Sequence, residues 1–491
     1  MNRIVFRVDA SSQLGGGHVV RCATLARALV QRGAEVSFLC RSLPGHFCDW
    51  LEEAGFPVYR MQATAASLAD DLAETRAALS PLGPVDWLVV DHYGLDARWE
   101  VVLRPLAEQI MVIDDKADRP HDCDILLDQN YIRDAAMRYD GLVPASCRRL
   151  LGPRYALLRE DFRVARQSLR VRDGKVRRLL ISFGATDPGG HTLAALQAVS
   201  RPAGAYERID VVTSPQNPRA AELREQCAAL ANVCFHCPAE DFTALLAAAD
   251  LALGAGGTMN WERACLTLPT IAFGIADNQE PILASLIQDG VVLGQASMPV
   301  PDSDSMAAWL AVVASNPDLL KGLSARSVAL VDGKGTDRVA DALVPSAFSF
   351  RPLTQEDGRH LFAWRNSPEI SNASVSGGVP DYAAHEAWLK DTLADDDRTF
   401  LLIEAHQQPV GVVRFDCAGD EATISIFRVP GTGAGRGLVR QSTEWLRRNR
   451  PEVRRIVANV LPGNSASLAA FRAAGYRDFL YRLCIGLQVE T

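Results

Sequence analysis

A chain of 491 residues is longer than one hydrophobic core supports, and the usual domain size predicts about three domains. Its 48% apolar and 22% charged residues are those of a globular protein, and a net charge of −8 speaks against nucleic-acid or anionic-membrane partners. No apolar run reaches bilayer length and the start Met1-Asn2-Arg3 lacks a signal-peptide core, so a cytoplasmic location is expected.

The first β-rich run, Ile4–Val8, leads through Asp9 to three glycines, Gly15, Gly16 and Gly17, then to His18 and an apolar-periodic segment, Val19–Gln31, that predicts a helix. Glycines let backbone approach a ligand closely, and amides at a helix start attract anions. The same field suits His18 to act as a base near pH 7. The plainer alternative is a histidine that packs against or caps the helix.

Strand-like runs then recur at Glu35–Cys40, Trp87–Asp91, Ile110–Ile113 and Ile125–Leu127, with helical stretches between. This alternation predicts a parallel sheet with crossover helices. Acidic or polar residues close several strands: Asp9, Asp91-His92-Tyr93, Asp114-Asp115 and Asp128-Gln129-Asn130. Loops at those strand ends converge on the crevice of an open sheet, although Asp and Asn also cap helices there.

Residues 150–175 are charged and read as an irregular connector. A second alternating series follows, with strands expected at Leu179–Phe183, Ile209–Thr213, Val233–Cys237, Leu251–Leu253 and Thr270–Phe273. Between the last two lies Gly254-Ala255-Gly256-Gly257-Thr258-Met259-Asn260-Trp261-Glu262. Amides at Gly256 and Gly257 with the Thr258 hydroxyl suit a diphosphate, and Glu262 is spaced to accept ribose hydroxyls. Neither glycine loop has the P-loop pattern. The eleven cysteines show no disulfide framework, and Cys234-Phe235-His236-Cys237, with no second pair, reads as strand packing rather than a zinc site. Two Rossmann-like halves, 1–150 and 151–345, with a ligand between them, are therefore expected.

After a polar junction the pattern changes at Phe348, and strands at Thr399–Glu404, Pro409–Phe415, Ala422–Arg428 and Arg455–Val460 predominate, with few helices between. The segment Ile426 to Leu438 carries Val429, Gly433, Ala434, Gly435, Arg436 and Gly437 ahead of a helix over Val439–Arg448, again a pyrophosphate cradle. The basic stretch Arg447, Arg448, Arg450, Arg454 and Arg455 reads mostly as a solvated helix end.

With these motifs in view, residues 1–345 resemble the nucleotide-sugar hydrolases of pseudaminic acid biosynthesis. The resemblance rests on Val8 to Ser12, Gly17 to Cys22, Val90 to Tyr93, Ile113 to Asp124, Ser182-Phe183-Gly184 with Asp187, and Asp277 to Glu280. It implies the GT-B arrangement of two Rossmann-like domains. It also implies inverting, metal-free hydrolysis of UDP-2,4-diacetamido-2,4,6-trideoxy-β-L-altropyranose to UDP and free sugar. In that scheme His18 is the base, Gly16 and Gly17 line the substrate, and Gly256–Thr258 hold the leaving diphosphate. Tyr93, Asn278 and Gln279 would position sugar or diphosphate, and Asp9 either orients His18 or binds the sugar.

Residues 348–491 resemble the GNAT N-acetyltransferases, an α+β fold, through Gly433, Gly435 and Gly437 and the downstream Asn464-Ser465-Ala466-Ser467. That resemblance implies acetyl-CoA as co-substrate, with Asn464 and Ser467 joining the glycine loop in holding it. Thr432 replaces the usual first loop residue, and Phe471 stands where many members use a tyrosine to protonate the thiolate. Tyr476, Tyr481 or water would have to take that role.

The fusion implies a bifunctional α/β enzyme that acetylates a 4-amino UDP-sugar and then hydrolyses the product. Its partners would be the UDP-sugar, acetyl-CoA and neighbouring pathway enzymes, with no nucleic acid or membrane. Two other readings stay open: a GT-B glycosyltransferase moving the sugar to an alcohol, and a C-terminal module that binds acetyl-CoA or a partner protein without catalysis.

Overall fold

The structure, a computed structural model, describes all residues except 1, 12–13, 63–66, 201–205, 346–347, 372–380, 406, 433–436, 462 and 478–491. The chain divides into two compact units, 1–345 and 346–491. Among the described residues no helix is long and apolar enough to cross a membrane.

The apolar runs of the first half form seven strands: β1 (Arg3–Val8), β2 (Glu35–Arg41), β3 (Val58–Met61), β4 (Val85–Asp91), β5 (Ala107–Ile113), β6 (Ile125–Asp128) and β7 (Arg148–Leu151). They pair in parallel in the order β3-β2-β1-β4-β5-β6-β7. Ile4, Val5, Phe6 and Val8 are all fully buried, as strands covered by helices on both faces must be. The order in which strands are added reverses between β1 and β4, and a crevice opens beyond the carboxyl ends of these two strands. Helix α1 (Gly17–Gln31) starts there.

The second half repeats the scheme with β8 (Arg178–Ser182), β9 (Arg208–Val212), β10 (Val233–His236), β11 (Leu251–Ala255), β12 (Thr270–Phe273) and β13 (Leu293–Gln295). The order is β10-β9-β8-β11-β12-β13, all parallel, so its switch point falls between β8 and β11. The glycine loop after β11 stands at that point.

Strands β3, β7 and β13 are additions to the sequence reading. Each is short and lies at or beside a sheet edge, where fewer apolar residues are needed. The connector is also more ordered than expected. Residues Glu160–Gln167 form a helix that buries Phe162, and the buried Arg172 guanidinium donates to the carbonyls of Ala249, Leu266 and Thr267. Burial lowers the Arg172 pKa to about 10. Helix Gly335–Leu343 returns to the first half: Val339, Ala340 and Leu343 join its core, and Trp87 Nε1 donates to the Leu343 carbonyl at 3.0 Å.

The second unit has one sheet of β14 (Ser349–Pro352), β15 (Arg398–Ala405), β16 (Gln408–Ala418), β17 (Glu421–Arg428) and β18 (Arg455–Ala458) in sequence order. All pairs are antiparallel except β17 with β18. Helices are more prominent than the sequence reading held. Gly358–Arg365 and Tyr382–Leu393 supply Leu361 and Leu389 to one core, while Leu438–Asn449 and Ser465–Ala473 supply Leu446 and Phe471 to the other. The first two bury only a few residues each, so their apolar stripes are too narrow to stand out as period 3.6.

Candidate active site

Gly16 precedes α1 and His18 occupies its first turn, which contains no acidic side chain. His18 Nδ1 lies 2.6 Å from Asp91 Oδ1 and 3.0 Å from Arg21 Nη2. A carboxylate only accepts, so the proton belongs on Nδ1, and Arg21 serves Asp91 rather than the ring. Arg21 donates from Nε and Nη2 to the two Asp91 oxygens at 2.7 and 2.6 Å. Asp91 is buried at the end of β4, where loss of solvent alone would raise its pKa. The Arg21 charge and the His18 hydrogen bond instead hold it well below the usual carboxylate range. The lone pair of His18 Nε2 is left to act on a water, since no described residue engages it.

Tyr93 stands edge-on to the His18 ring, with centroids 4.7 Å apart. Its hydroxyl donates to Asp115 Oδ2 at 3.1 Å and accepts from Asn278 Nδ2 of the second half at 3.3 Å. Burial and the Asp115 charge push the phenol upward, so it stays a donor at neutral pH. Lys116 Nζ lies over the Tyr93 ring, 4.9 Å from its centroid.

Three members of this cluster, Arg21, Asp91 and Asp115, lie outside the predicted site. Asp91 and Asp115 close strands in the sequence reading, and Arg21 comes one helical turn after His18; all three fall in segments that carry the family resemblance, but that reading gives none of them a role at the site. Asp9 is elsewhere engaged. Its carboxylate takes Arg7 Nη1 and Nη2 at 2.6 and 2.8 Å and the Arg41 amide at 2.8 Å. Of the two roles open to Asp9, orienting His18 falls to Asp91 instead.

The two glycine loops differ in use. A Cβ on Gly16 would lie 2.5 Å from the Phe47 ring, whereas one on Gly17 meets nothing within 4 Å. In the second half, the Gly256 amide donates to the Phe273 carbonyl at 2.9 Å and so is not available to a diphosphate. Its lack of a side chain instead makes room for Leu283, which a Cβ would approach to 2.8 Å. The Gly257 and Thr258 amides donate to no described backbone group. Gln279 lies against this loop, its Nε2 3.2 Å from where a Gly257 Cβ would be, with Oε1 accepting from the Ile275 amide at 3.1 Å. Glu262 is half-buried in the first turn of helix Met259–Cys265, and loss of solvent raises its pKa to about 7 against the opposing charges of Arg159 and Arg263.

In the second unit Gly437 has φ +91° and starts helix Leu438–Asn449, a backbone conformation that glycine adopts freely. Gly433, Ala434, Gly435, Arg436 and Tyr481 lie outside the described residues. The Val429 amide donates to the Val410 carbonyl at 2.9 Å, and the Asn464 side chain caps the next helix by accepting from the Ser467 amide at 3.0 Å. These three groups are thus already hydrogen-bonded within the protein. Phe471 is buried, and Tyr476 packs edge-on to it at 5.0 Å while its hydroxyl bonds Thr443 Oγ1 at 2.9 Å.

Comparison with known proteins separates the two units. Residues 348–477 match the model of the acetyltransferase (GNAT) domain, and residues 205–282 match a protein family of unknown function, DUF354. Over 225 residues the chain is 31% identical to the UDP-2,4-diacetamido-2,4,6-trideoxy-beta-L-altropyranose hydrolase of Campylobacter jejuni, spanning 45% of this chain and 73% of that one. The chain belongs to the family of that hydrolase. A second member of the comparison, the spore coat polysaccharide biosynthesis protein SpsG of Bacillus subtilis, is 25% identical over 195 residues, which is 39% of this chain and 57% of SpsG.

The fold agrees. MurG of Acinetobacter baumannii superposes with a TM-score of 0.51 at 16% identity, over 70% of this chain and 99% of MurG. Two Rossmann-like domains in the GT-B manner, followed by a GNAT domain, therefore make up this member of the hydrolase family.

Proposed function

We propose that residues 1–345 hydrolyse UDP-2,4-diacetamido-2,4,6-trideoxy-β-L-altropyranose to UDP and the free sugar with inversion. The observation that carries this reading is the His18–Asp91 pair, with Nδ1 tied to the carboxylate at 2.6 Å and Nε2 left open. An imidazole held in that tautomer takes a proton from water as the water attacks the anomeric carbon. The departing UDP needs fixed donors. The Gly257 and Thr258 amides and the Thr258 hydroxyl supply them, with Glu262 on the ribose. Tyr93, Asn278 and Gln279 face the sugar and diphosphate, and Gly17 leaves open backbone beside the base. The pathway, pseudaminic acid biosynthesis, and the absence of a metal requirement follow the resemblance of residues 1–345.

For residues 348–491 the reading is acetyl-CoA-dependent N-acetylation of the 4-amino UDP-sugar, so that one chain makes and consumes the diacetamido intermediate. The match to the GNAT domain supports it. Gly433, Ala434, Gly435, Arg436 and Gly437 would hold the pyrophosphate of the cofactor. Because Tyr476 already bonds Thr443, the thiolate is expected to take its proton from water.

The test is UDP release in EDTA by the wild type and by His18→Ala. Release by the wild type alone, without any acceptor alcohol and with the inverted anomer formed first, supports the hydrolase. Release that needs an alcohol would instead make the first unit a glycosyltransferase. Failure to transfer acetyl to the 4-amino sugar would reduce the second unit to a binding module.

A further inference from the structure

Strands β1 and β4 are neighbours, with Val8 opposite Asp91, so the residues that follow them, Asp9 and His92, leave the sheet side by side. His92 Nε2 lies 3.3 Å from Asp9 Oδ2, and His92 Nδ1 accepts from the Gly94 amide at 3.0 Å. Both ring nitrogens are spent inside the protein, which leaves His92 no part in proton transfer. The pattern also sets its tautomer, with the proton on Nε2.

Asp9 is a firm anchor. Besides accepting from Arg7 and the Arg41 amide, it belongs to a buried array in which Arg7 and Arg41 both reach Asp71 Oδ2, at 2.6 and 2.9 Å. Burial alone would raise the Asp9 pKa, but the His92 bond and the Arg7 charge hold it well below the usual carboxylate range. On the other side of the turn, Arg119 donates to the carbonyls of His92 and Leu95 at 3.1 and 2.8 Å. A Cβ on Gly94 would come within 3.1 Å of His92 Cε1, so the turn closes tightly on the imidazole. The two residues flanking His92 are the ones that meet His18: Asp91 at Nδ1 and Tyr93 at the ring edge.

We infer that His92 is a positioning residue for the hydrolytic step: braced on Asp9, it fixes the 91–94 turn so that Asp91 and Tyr93 hold His18 from two sides. The inference rests on the hydrolase reading and deepens it. It places a determinant of His18 geometry in a side chain that is bonded to Asp9 and Gly94 rather than to the base.

His92→Phe removes both bonds at similar size. His92→Asn loses the reach to Asp9 but keeps an acceptor for the Gly94 amide, as an Asx turn does. In UDP release, His92→Phe is expected to lower kcat about 10- to 100-fold, the scale of a small misplacement of a reacting group. KM should stay within about 3-fold, because the glycine loop after β11 is untouched, and His92→Asn should recover part of kcat. Wild-type kcat in His92→Phe, or a loss confined to KM or to thermal stability, would overturn the inference. The His18 ring signal in a carbon–proton NMR spectrum of the free protein gives an independent readout. It should shift in His92→Phe as the Tyr93 ring moves. If the wild type releases no UDP, the hydrolase reading fails while this signal still decides: an unchanged His18 resonance would sink the positioning role.

Discussion

The Tyr93 hydroxyl and the Asn278 amide meet at 3.3 Å although 185 residues separate them in the chain. Tyr93 follows a strand of the first half and Asn278 follows a strand of the second, so this bond joins the two walls of the cleft beside His18. The hydroxyl donates its own hydrogen bond to Asp115, which makes one directed chain from Asn278 to Asp115.

Tyr93→Phe keeps the edge contact with His18 and deletes both hydrogen bonds. Each such bond contributes about 1 kcal/mol, so losing both should lower kcat/KM about 30-fold. Asn278→Ala should give a smaller loss, and the double variant should cost less than the two losses combined. Additive losses in a double-mutant cycle of UDP release would mean that the two side chains act separately.

Asp91→Asn tests the tautomer. An amide offers Arg21 one acceptor oxygen and presents His18 with either an acceptor or a donor, so the imidazole is no longer held with its proton on Nδ1. The expected loss in kcat is on the order of 10²- to 10⁴-fold, with UDP affinity little changed, as for orienting carboxylates elsewhere. Calorimetric binding of UDP alongside turnover separates this from misfolding, in which both would fail.

The glycines before His18 should part company on substitution. Gly16→Ala drives a methyl to 2.5 Å from the Phe47 ring and should destabilise the protein by about 1–3 kcal/mol. Gly17→Ala meets nothing and should fold normally. If the open backbone at Gly17 serves the substrate, Gly17→Ala keeps its melting temperature and loses activity. Equal melting temperatures for both variants would contradict the packing of Phe47 on Gly16.

A Glu262 that accepts the ribose hydroxyls would make UDP binding pH-dependent. Its folded pKa is raised from 4.5 to about 7, so its contribution to stability is complete below 4.5 and is lost as pH rises toward 7. Ribose hydroxyls donate to the ionised form, so binding should strengthen between about pH 6 and pH 8 and release a proton below pH 7. Titration calorimetry in two buffers of different ionisation enthalpy measures that proton, and Glu262→Gln should abolish it. A binding enthalpy independent of buffer would remove Glu262 from the ribose site.

Much of this architecture is legible in the chain itself. Buried parallel strands announce themselves as apolar runs such as Ile4–Val8, and His18 stands out because three glycines precede a helix. What pairs across distance does not. Asp91 reads as one more acid at a strand end until the pairing of β1 with β4 brings it under α1. The Arg7, Asp71 and Arg41 array joins three segments whose charges look solvated when taken singly. Helix Gly335–Leu343 falls in what reads as a polar junction, and nothing in its own residues says which core it will meet. Helices Gly358–Arg365 and Tyr382–Leu393 are hidden for a local reason, since each buries too few apolar residues to show its period.

That returning helix has a bearing on how the chain is made. Synthesis runs from the N-terminal side, and the sheet of the first half is fully translated by Leu151. Yet Val339, Ala340 and Leu343, which seal its α1 face, and the carbonyl that caps Trp87 emerge only after the whole second half. The first of the two halves to leave the ribosome therefore waits for the second to be translated before its α1 face is sealed, and the cleft cannot take its final form before the ribosome has passed Leu343.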